Sequence, residues 1–361
     1  MNESHQRLKQ LFLLSRDAIL GVEDGTVVFA NATADRFWGK SVEKAQVSDL
    51  FPSHISLETA DHSICSTRIN QQPVSVSIVR WESLTLICVT PLSGDEHVII
   101  DFLPVVASLN SSMHNLRAAA EWLLDTVDLS SERANFTAAI MTRSYFVILR
   151  TLHNISTLQQ LADGTIAFDP VWSDLSVFLG DLLHSVEALV SRMGMNVVFR
   201  QSGKDFSACI DEKLMEQLVL NLLSNCLLHM EKGNTVTVTL TSESERILLS
   251  VDDNGSGMDE ETIGGLFKSA VRETPLSAFT SGAGLGLYIV RGIVDRHGGT
   301  ILVESRAGEG TSIRIMLPKG EPTSPRFSSA QSVYQNRNMD SILRELSGVL
   351  GHAFYQRNYL D

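Results

Sequence analysis

Three separated stretches of this sequence carry amides, a carboxylate and glycines at spacings suited to phosphate chemistry. In EQLVLNLLSNCLLHM (216–230), Asn221 and Asn225 stand four residues apart, so on a helix both amides project from one face. Two amide oxygens one turn apart suit a hard divalent cation such as Mg2+, shared with phosphate oxygens. In SVDDNGSGMD (250–259), a strand runs into Asp253-Asn254-Gly255-Ser256-Gly257. A carboxylate at a strand end can accept a hydrogen bond from an exocyclic amine, while glycines let the backbone approach the ring. In SGAGLGLYIVRGIVDRHGG (281–299), Gly282, Gly284 and Gly286 precede an apolar helix. The free N–H groups of a helix start can hold phosphate. Each stretch alone has an ordinary alternative: two solvated asparagines, an Asn-Gly turn, a loop rich in glycine. The glycine run is neither a Rossmann fingerprint nor a Walker loop. It comes late, no βαβ unit with an acidic partner follows it, and it lacks the Gly-Lys-Ser/Thr.

A fourth feature is His114, in the amphipathic pattern VVASLNSSMHNLRAAAEWLL (105–124). An exposed imidazole with an adjacent base is a nucleophile; a surface histidine beside a packed seam is the ordinary alternative. Leu109, Met113, Leu116, Ala120, Leu123 and Val127 alternate spacings of four and three, a heptad seam that wants a partner helix. DLSSER (128–133) reads as a turn, with Ser130 or Ser131 able to cap the next helix. That second helical pattern, ANFTAAIMTRSYFVILRTLHNISTLQQLA, runs to Asp163-Gly164 and carries His153, a weaker nucleophile candidate. An antiparallel hairpin of this length is usually stabilised by dimerising into a four-helix bundle.

The remaining elements set the frame. At 361 residues the chain is too long for one typical core. LFLLSRDAILGVEDGTVVFANATADRFWG predicts a helix, a strand, an Asp-Gly turn and a second strand; VSVSIVRW and LTLICVTPL predict two more strands. Beyond residue 170, helices over 173–193, 211–230 and 284–297 alternate with the strands TVTVTL, RILLSVDD, TILVES and SIRIMLP. KGEPTSPRFSSAQS reads as a linker, and MDSILRELSGVLGHAFYQRNYL as a short amphipathic helix, either packed on the core or a flexible tail. The formal net charge of −13 disfavours nucleic acid and anionic membrane surfaces as main partners. No apolar run reaches the ~18 residues of a membrane span. The start, MNESHQRLKQ, lacks a signal-peptide core. Cys65, Cys88, Cys209 and Cys226 stand singly, which predicts reduced thiols in a cytoplasmic protein and no zinc site.

Together, in this order and spacing, the three stretches resemble the N, G1 and G2 boxes of the ATP-binding domain shared by histidine kinases, gyrase, Hsp90 and MutL. The resemblance covers residues 170–318, and HGGTILVESRAGEGTSIRIMLP is similar to the histidine-kinase version. It implies an α/β sandwich that binds ATP with Mg2+ on Asn221 and Asn225. Asp253 would read the adenine amino group, with Gly255 and Gly257 lining the base pocket and His229 beside it. Ser281, Gly282, Gly284, Leu285, Gly286 and Leu287 would line the phosphates. Phe267 resembles the F box, and residues 268–281 a lid with Lys268 and Arg272 as phosphate contacts. The ATPases of this superfamily place a glutamate base where this chain has Asn221, so the resemblance sides with the kinases. One departure is Leu228, where histidine kinases often carry Lys or Arg.

DAILGVEDGTVVFANATADRFWG also resembles the opening of a PAS domain. The expected organisation is therefore multidomain α+β. A PAS-like sensor domain (8–95) precedes a helical dimerisation hairpin (98–165). An ATP-binding kinase domain of the histidine-kinase type (168–319) and a linker with a C-terminal helix (320–361) complete the chain. That order resembles a cytoplasmic sensor histidine kinase, homodimeric through residues 101–162, which passes phosphate to a response-regulator receiver domain. Two registers compete for the phosphoacceptor. Matched by eye, SMHNLRAAA makes His114 the acceptor, with Asn115 in place of the usual carboxylate and Ala119 in place of proline. Anchored on Glu121-Trp122-Leu123, the family's histidine position falls on Ala107, with Ser108, Asn110 and Ser112 replacing the residues after it. His114 then lies two turns further on, on the same face, displaced by about 10 Å. Two alternatives stand beside the kinase: an ATP-binding pseudokinase or scaffold without an acceptor histidine, and a serine kinase of the anti-sigma type.

Overall fold

The structure is a computed structural model. It describes residues 15, 17–51, 62–70, 72–81, 84–91, 109–110, 112–113, 116–117, 120, 132–231, 233–259, 262–263, 285–321 and 334–356. The predicted first helix before residue 15, the turn at 128–131, and His114 lie outside the described residues.

The N-terminal part is an antiparallel sheet. Strands β1 (Ala18–Glu23) and β2 (Thr26–Ala30) form the expected hairpin, and Asp24 and Gly25 both take positive φ, 46° and 73°. That pair of left-handed residues is what a two-residue turn between twisted strands requires. Asn31 then caps α1 (Ala32–Trp38): its Oδ1 accepts the N–H groups of Ala34 (2.9 Å) and Ile19 (3.0 Å), tying the helix to β1. Strands β3 (His62–Ile69), β4 (Gln72–Trp81) and β5 (Leu84–Pro91) complete the sheet. Leu20, Val22, Val76, Ile78, Ile87 and Val89 face one buried core. β4 and β5 match their apolar patterns. β3 was not anticipated, because HSICSTRI mixes polar and apolar residues without clean alternation.

Described residues between 109 and 120 are helical, the first arm of the expected hairpin, and α2 (Glu132–Ala162) covers its expected second arm. Arg117 of the first arm lies over the Tyr145 ring, 5.6 Å from its centroid. α2 ends where the Gly164 φ of 66° turns the chain.

The α/β part runs as β6 (Val171–Asp174), α3 (Leu175–Val190), β7 (Asn196–Ser202), β8 (Ser207–Ile210), α4 (Glu212–Leu228), β9 (Thr235–Ser242), β10 (Arg246–Asp253), α5 (Leu285–Arg296), β11 (Thr300–Arg306) and β12 (Gly310–Pro318). β9 and β10 bury every second residue: Val236, Val238 and Leu240, then Ile247, Leu249 and Val251. That single apolar face packs under the buried stripes of α3, α4 and α5. The predicted helix over 173–193 is shorter than expected. Ser173 and Asp174 belong to β6, Asp174 caps the helix start, and residues 191–193 tighten into a 3-10 turn. β6 pairs with β8, and β7 lies parallel to β9 at the sheet edge.

The sheets do not stay separate. β11 pairs antiparallel with β3, setting Leu302 opposite Cys65 and Val303 opposite Ile64, so one ten-stranded sheet runs β2-β1-β5-β4-β3-β11-β12-β10-β9-β7. Leu302 packs on the N-terminal core. Burial at this seam pushes the Cys65 thiol up to about 12, with the Asp295 carboxylate adding to it. The C-terminal helix α6 (Tyr334–Glu345) starts five residues before the sequence pattern suggests. It and the 3-10 turn at His352–Tyr355 are ordered against α2 and α4, which settles the choice between appendage and tail. Among the described residues, no helix is long and apolar enough to cross a membrane.

Candidate functional site

α4 is the first positioning element. Asp211 caps it: Oδ1 accepts from Lys213 and Leu214, both at 3.1 Å, and Oδ2 accepts from Asp169 at 2.9 Å. The Asp211 N–H in turn donates to His297 Nε2 at 3.0 Å, and His297 Nδ1 sits 2.8 Å from the Ile293 carbonyl. Nε2 accepts, so the proton is on Nδ1 and the ring is neutral; burial lowers its pKa accordingly. α4 and α5 are thus bolted together at one end by a neutral histidine.

The other end of α4 carries Asn221 and Asn225, and it meets α5 at Gly286. A Cβ on Gly286 would stand 3.1 Å from Asn221 Oδ1 and 3.3 Å from both amide atoms of Asn225. Both amides therefore converge on the first turn of α5, and a side chain at position 286 would press on both. Asn221 Nδ2 donates to the Gln217 carbonyl at 2.9 Å, while its Oδ1 is buried and has no hydrogen-bond partner. An orphaned amide oxygen costs free energy unless something meets it. The two asparagines are not equivalent: Asn221 has no accessible surface, whereas Asn225 is half-buried.

β10 ends at Asp252 and Asp253, which strand alternation sends to opposite faces. Asp252 is occupied by hydroxyls, accepting from Ser250 and from Ser312. Asp253 Oδ1 accepts the backbone N–H of Gly255, two residues on, at 2.9 Å. Cys226, one residue past Asn225, is buried beneath it; burial and then the Asp253 charge push that thiol well up. The loop beyond Asp253 is held closely on both sides. A Cβ on Gly255 would lie 2.7 Å from the His229 carbonyl, and one on Gly257 (φ +63°) only 2.0 Å from the Arg306 carbonyl. The Ser256 N–H donates to the His229 carbonyl at 3.3 Å. His229 therefore serves the loop through its backbone at the C-cap of α4, with an exposed ring.

The turn between β11 and β12 supplies the second clamp, which the sequence motifs did not single out. Ser305 Oγ accepts the Met258 N–H and donates to the Gly310 carbonyl, both at 2.9 Å. The Gly308 N–H donates to the Ser256 carbonyl at 2.7 Å. The signal was present in ESRAGEGTS, whose two glycines both take positive φ. Asp253, Met258, Ile263, Ser305, Gly310 and Thr311 are among the residues lining a cavity of about 720 Å3. That volume is in the range of small-molecule sites.

Leu285 opens α5, and Leu287 is buried in the core. Phe267, Lys268, Arg272, Ser281, Gly282 and Gly284 lie outside the described residues. His153 projects from α2 with Nε2 4.0 Å from Glu345 Oε1, away from the cavity. Leu228 is 44% exposed beside His229.

Residues 210–321 match the model of the histidine kinase-, DNA gyrase B-, and HSP90-like ATPase family. Two sensory kinases are similar to the chain over about half its length. One is the sensor histidine kinase YvrG of Bacillus subtilis (strain 168), 29% identical over 192 residues, 53% of this chain and 33% of that protein. The other is the adaptive-response sensory kinase SasA of Parasynechococcus marenigrum (strain WH8102), 34% identical over 190 residues, 49% of this chain and 48% of that protein. Among solved structures, full-length ShkA in complex with AMPPNP is 20% identical, with a TM-score of 0.47, covering 60% of this chain and 47% of that one. The chain spans a third to a half of the length of these curated relatives. The ATPase-family match begins at Ile210, just before the Asp211 cap, and ends past Pro318, so it contains the whole cavity lining named above.

Proposed function

We propose that this protein is a sensor histidine kinase of a two-component system. It binds Mg2+-ATP where α4, the end of β10 and the start of α5 meet. The observation that carries this is the convergence of the Asn221 and Asn225 amides on Gly286, inside the ATPase-family region. The residues fit the group. Asn225 meets the cation from the accessible side, the orphaned Asn221 Oδ1 faces the same first turn, and the bare Gly286 backbone leaves room for phosphate. When bound, Mg2+ neutralises phosphate charge. Asp253 accepts the adenine amine, and Asp252, engaged by two hydroxyls, does not compete for it. The amide at position 221 offers no base for water, which supports transfer to a protein acceptor over hydrolysis.

On this reading residues 8–95 are the PAS-like sensor, and the hairpin dimerises. Leu109 and Leu116 on one arm, and Ile140 and Ile148 on the other, are exposed apolar residues suited to a second copy. His114 is the phosphoacceptor, and a receiver aspartate takes the phosphate onward. The second reading is an ATP-binding pseudokinase or scaffold, favoured by the exposed Leu228 where a cation would serve phosphate.

The test is incubation of the full chain with γ-labelled ATP and Mg2+. The kinase reading expects acid-labile label that disappears in His114→Ala, and nucleotide binding that disappears in Asn225→Ala. Binding without label, with or without receiver domains, rejects the kinase and leaves the pseudokinase. Undiminished binding by Asn225→Ala rejects the site.

A further inference from the structure

Residues 334–356 take no part in the proposed nucleotide site, yet they are built into the core. Ile342, Leu343, Leu346, Leu350 and Tyr355 are at most 1% exposed and belong to the same cluster as α2 and α4. The Tyr355 hydroxyl donates to the Leu343 carbonyl at 2.9 Å, closing the segment on itself. We propose that residues 334–356 are an autoinhibitory latch that holds the ATP-binding domain docked on α2, so that the domain can swing along the hairpin only when the latch lifts. The inhibitory role rests on the kinase reading above.

The latch lies along one face of α2. The His352 ring meets Phe136 (4.7 Å), the Leu350 carbonyl accepts from Arg143 Nε (2.8 Å), Tyr355 meets Phe146 (5.6 Å), and Glu345 meets Arg150 (3.7 Å). Positions 136, 143, 146 and 150 follow helical spacing, so the contacts run for four turns along a single stripe. On its other flanks α6 reaches the first hairpin arm through Asp340 and Arg117 (3.6 Å), and α4 through Ser341 and Glu216. One segment thus bridges both arms of the hairpin and the helix that carries Asn221 and Asn225.

Arg150 is the centre of that bridge. It is 7% exposed; Nη2 donates to Ser224 Oγ at 2.9 Å, next to Asn225, and Nε stands 3.7 Å from Glu345 Oε2. A Cβ on Gly348 would come within 2.7 Å of Arg150 Nη1, so the latch backbone lies close against the guanidinium. Glu345 is wholly enclosed among Arg150, His153 and Arg344. Two of these partners, Arg150 and His153, belong to α2 and reach Glu345 only while the latch is closed, whereas Arg344 moves with it. Lifting the latch must therefore hydrate all these groups together, which makes a two-state element, not a graded one. In the closed state α4 is also tied to α2 by Gln217 and Thr157 (3.1 Å), and Leu161 fills the space over Gly292. A domain tied by its nucleotide helix to the second arm must break these contacts before it can move along the hairpin.

The test uses the full chain with Ile342→Asp and Leu346→Asp combined. Distance labels are placed at exposed Ser144 on α2 and exposed Glu243 in the β9–β10 turn. The parent is expected to give one narrow distance. The variant should give a broad, longer distribution, an ADP affinity within about twofold of the parent, and several-fold faster incorporation of γ-label. Adding a peptide of residues 334–356 should restore the narrow distance. An unchanged distance, or slower labelling in the opened variant, overturns the proposal. If the double variant loses ADP binding, Leu346→Ala replaces it and must shift the distance in the same direction. Absence of label from parent and variant alike rejects the kinase reading, and the distance alone then decides whether the latch docks the domain.

Discussion

Gly310→Ala is the sharpest test of how the candidate site is held. Gly310 starts β12 at φ +100°, and a Cβ there would stand 2.0 Å from the Asp253 carbonyl oxygen, 2.9 Å from its carbon and 3.0 Å from Asn254 Cα. Ordinary contact begins near 3.4 Å, so the oxygen would have to retreat by 1.4 Å (3.4 − 2.0). The obstacle is backbone, paired across β10 and β12 with Asp253 opposite Thr311, and no rotamer can relieve it. The positive φ costs about 1–2 kcal/mol for a residue with a side chain, and overpacking adds about 1–3 kcal/mol. We expect a loss of about 2–5 kcal/mol in urea unfolding. Asp253 moves with its backbone, so ADP affinity should fall by roughly tenfold or more, in line with the sensitivity of positioned groups to shifts on the order of 1 Å. Gly308→Ala is the control: φ is +83°, but nothing lies within 4 Å of its Cβ. It should lose about 1–2 kcal/mol and bind ADP normally. Equal losses of stability and of ADP affinity in the two variants would refute the claim that the β11–β12 turn positions Asp253.

Two further outcomes come from the same geometry. His297 accepts from the Asp211 N–H as a neutral ring, and burial holds its pKa below the ordinary 6.5. Between the folded and unfolded values the unfolded chain binds more protons, so stability is full above about pH 6.5 and is lost as pH falls from there. Urea midpoints should drop between about pH 7.5 and 5.5, with a shallower slope in His297→Gln; an identical slope would show that this ring does not titrate on unfolding. Leu302→Asp would put a carboxylate against the N-terminal core at the β3–β11 seam. It should weaken the seam by roughly 1–3 kcal/mol and expose the N-terminal sheet to proteolysis while ADP binding persists; unchanged protection would mean that the seam contributes little.

Much of the architecture was legible because it is written in short-range pattern. Alternation in RILLSVDD and TVTVTL, the Asp-Gly turn after β1 and the glycine after α2 each specify local geometry, and each element formed there. The elements that went unread lacked such a pattern. β3 mixes serine, cysteine and arginine among its apolar residues, and β6 and β8 are four residues long. In the site, the spacing of Asn221 and Asn225 was legible as one helix face. Their meeting at Gly286 was not, because it depends on how α5 lies across α4.

By itself, the sequence determined which faces want burial, roughly where most helices lie, and that amides, a carboxylate and glycines recur in one order along the chain. Only the tertiary structure decided that hydroxyls engage Asp252, that β3 rather than solvent covers the β11 edge, and that Glu345 meets Arg150. The reason is physical. Periodicity records that a surface must leave water, but the hydrophobic effect is non-directional and does not name the partner. Which carboxylate is engaged, which edge is paired and which charge is balanced depend on elements far apart in sequence (195 residues between Arg150 and Glu345, 237 between Cys65 and Leu302) finding one packed arrangement.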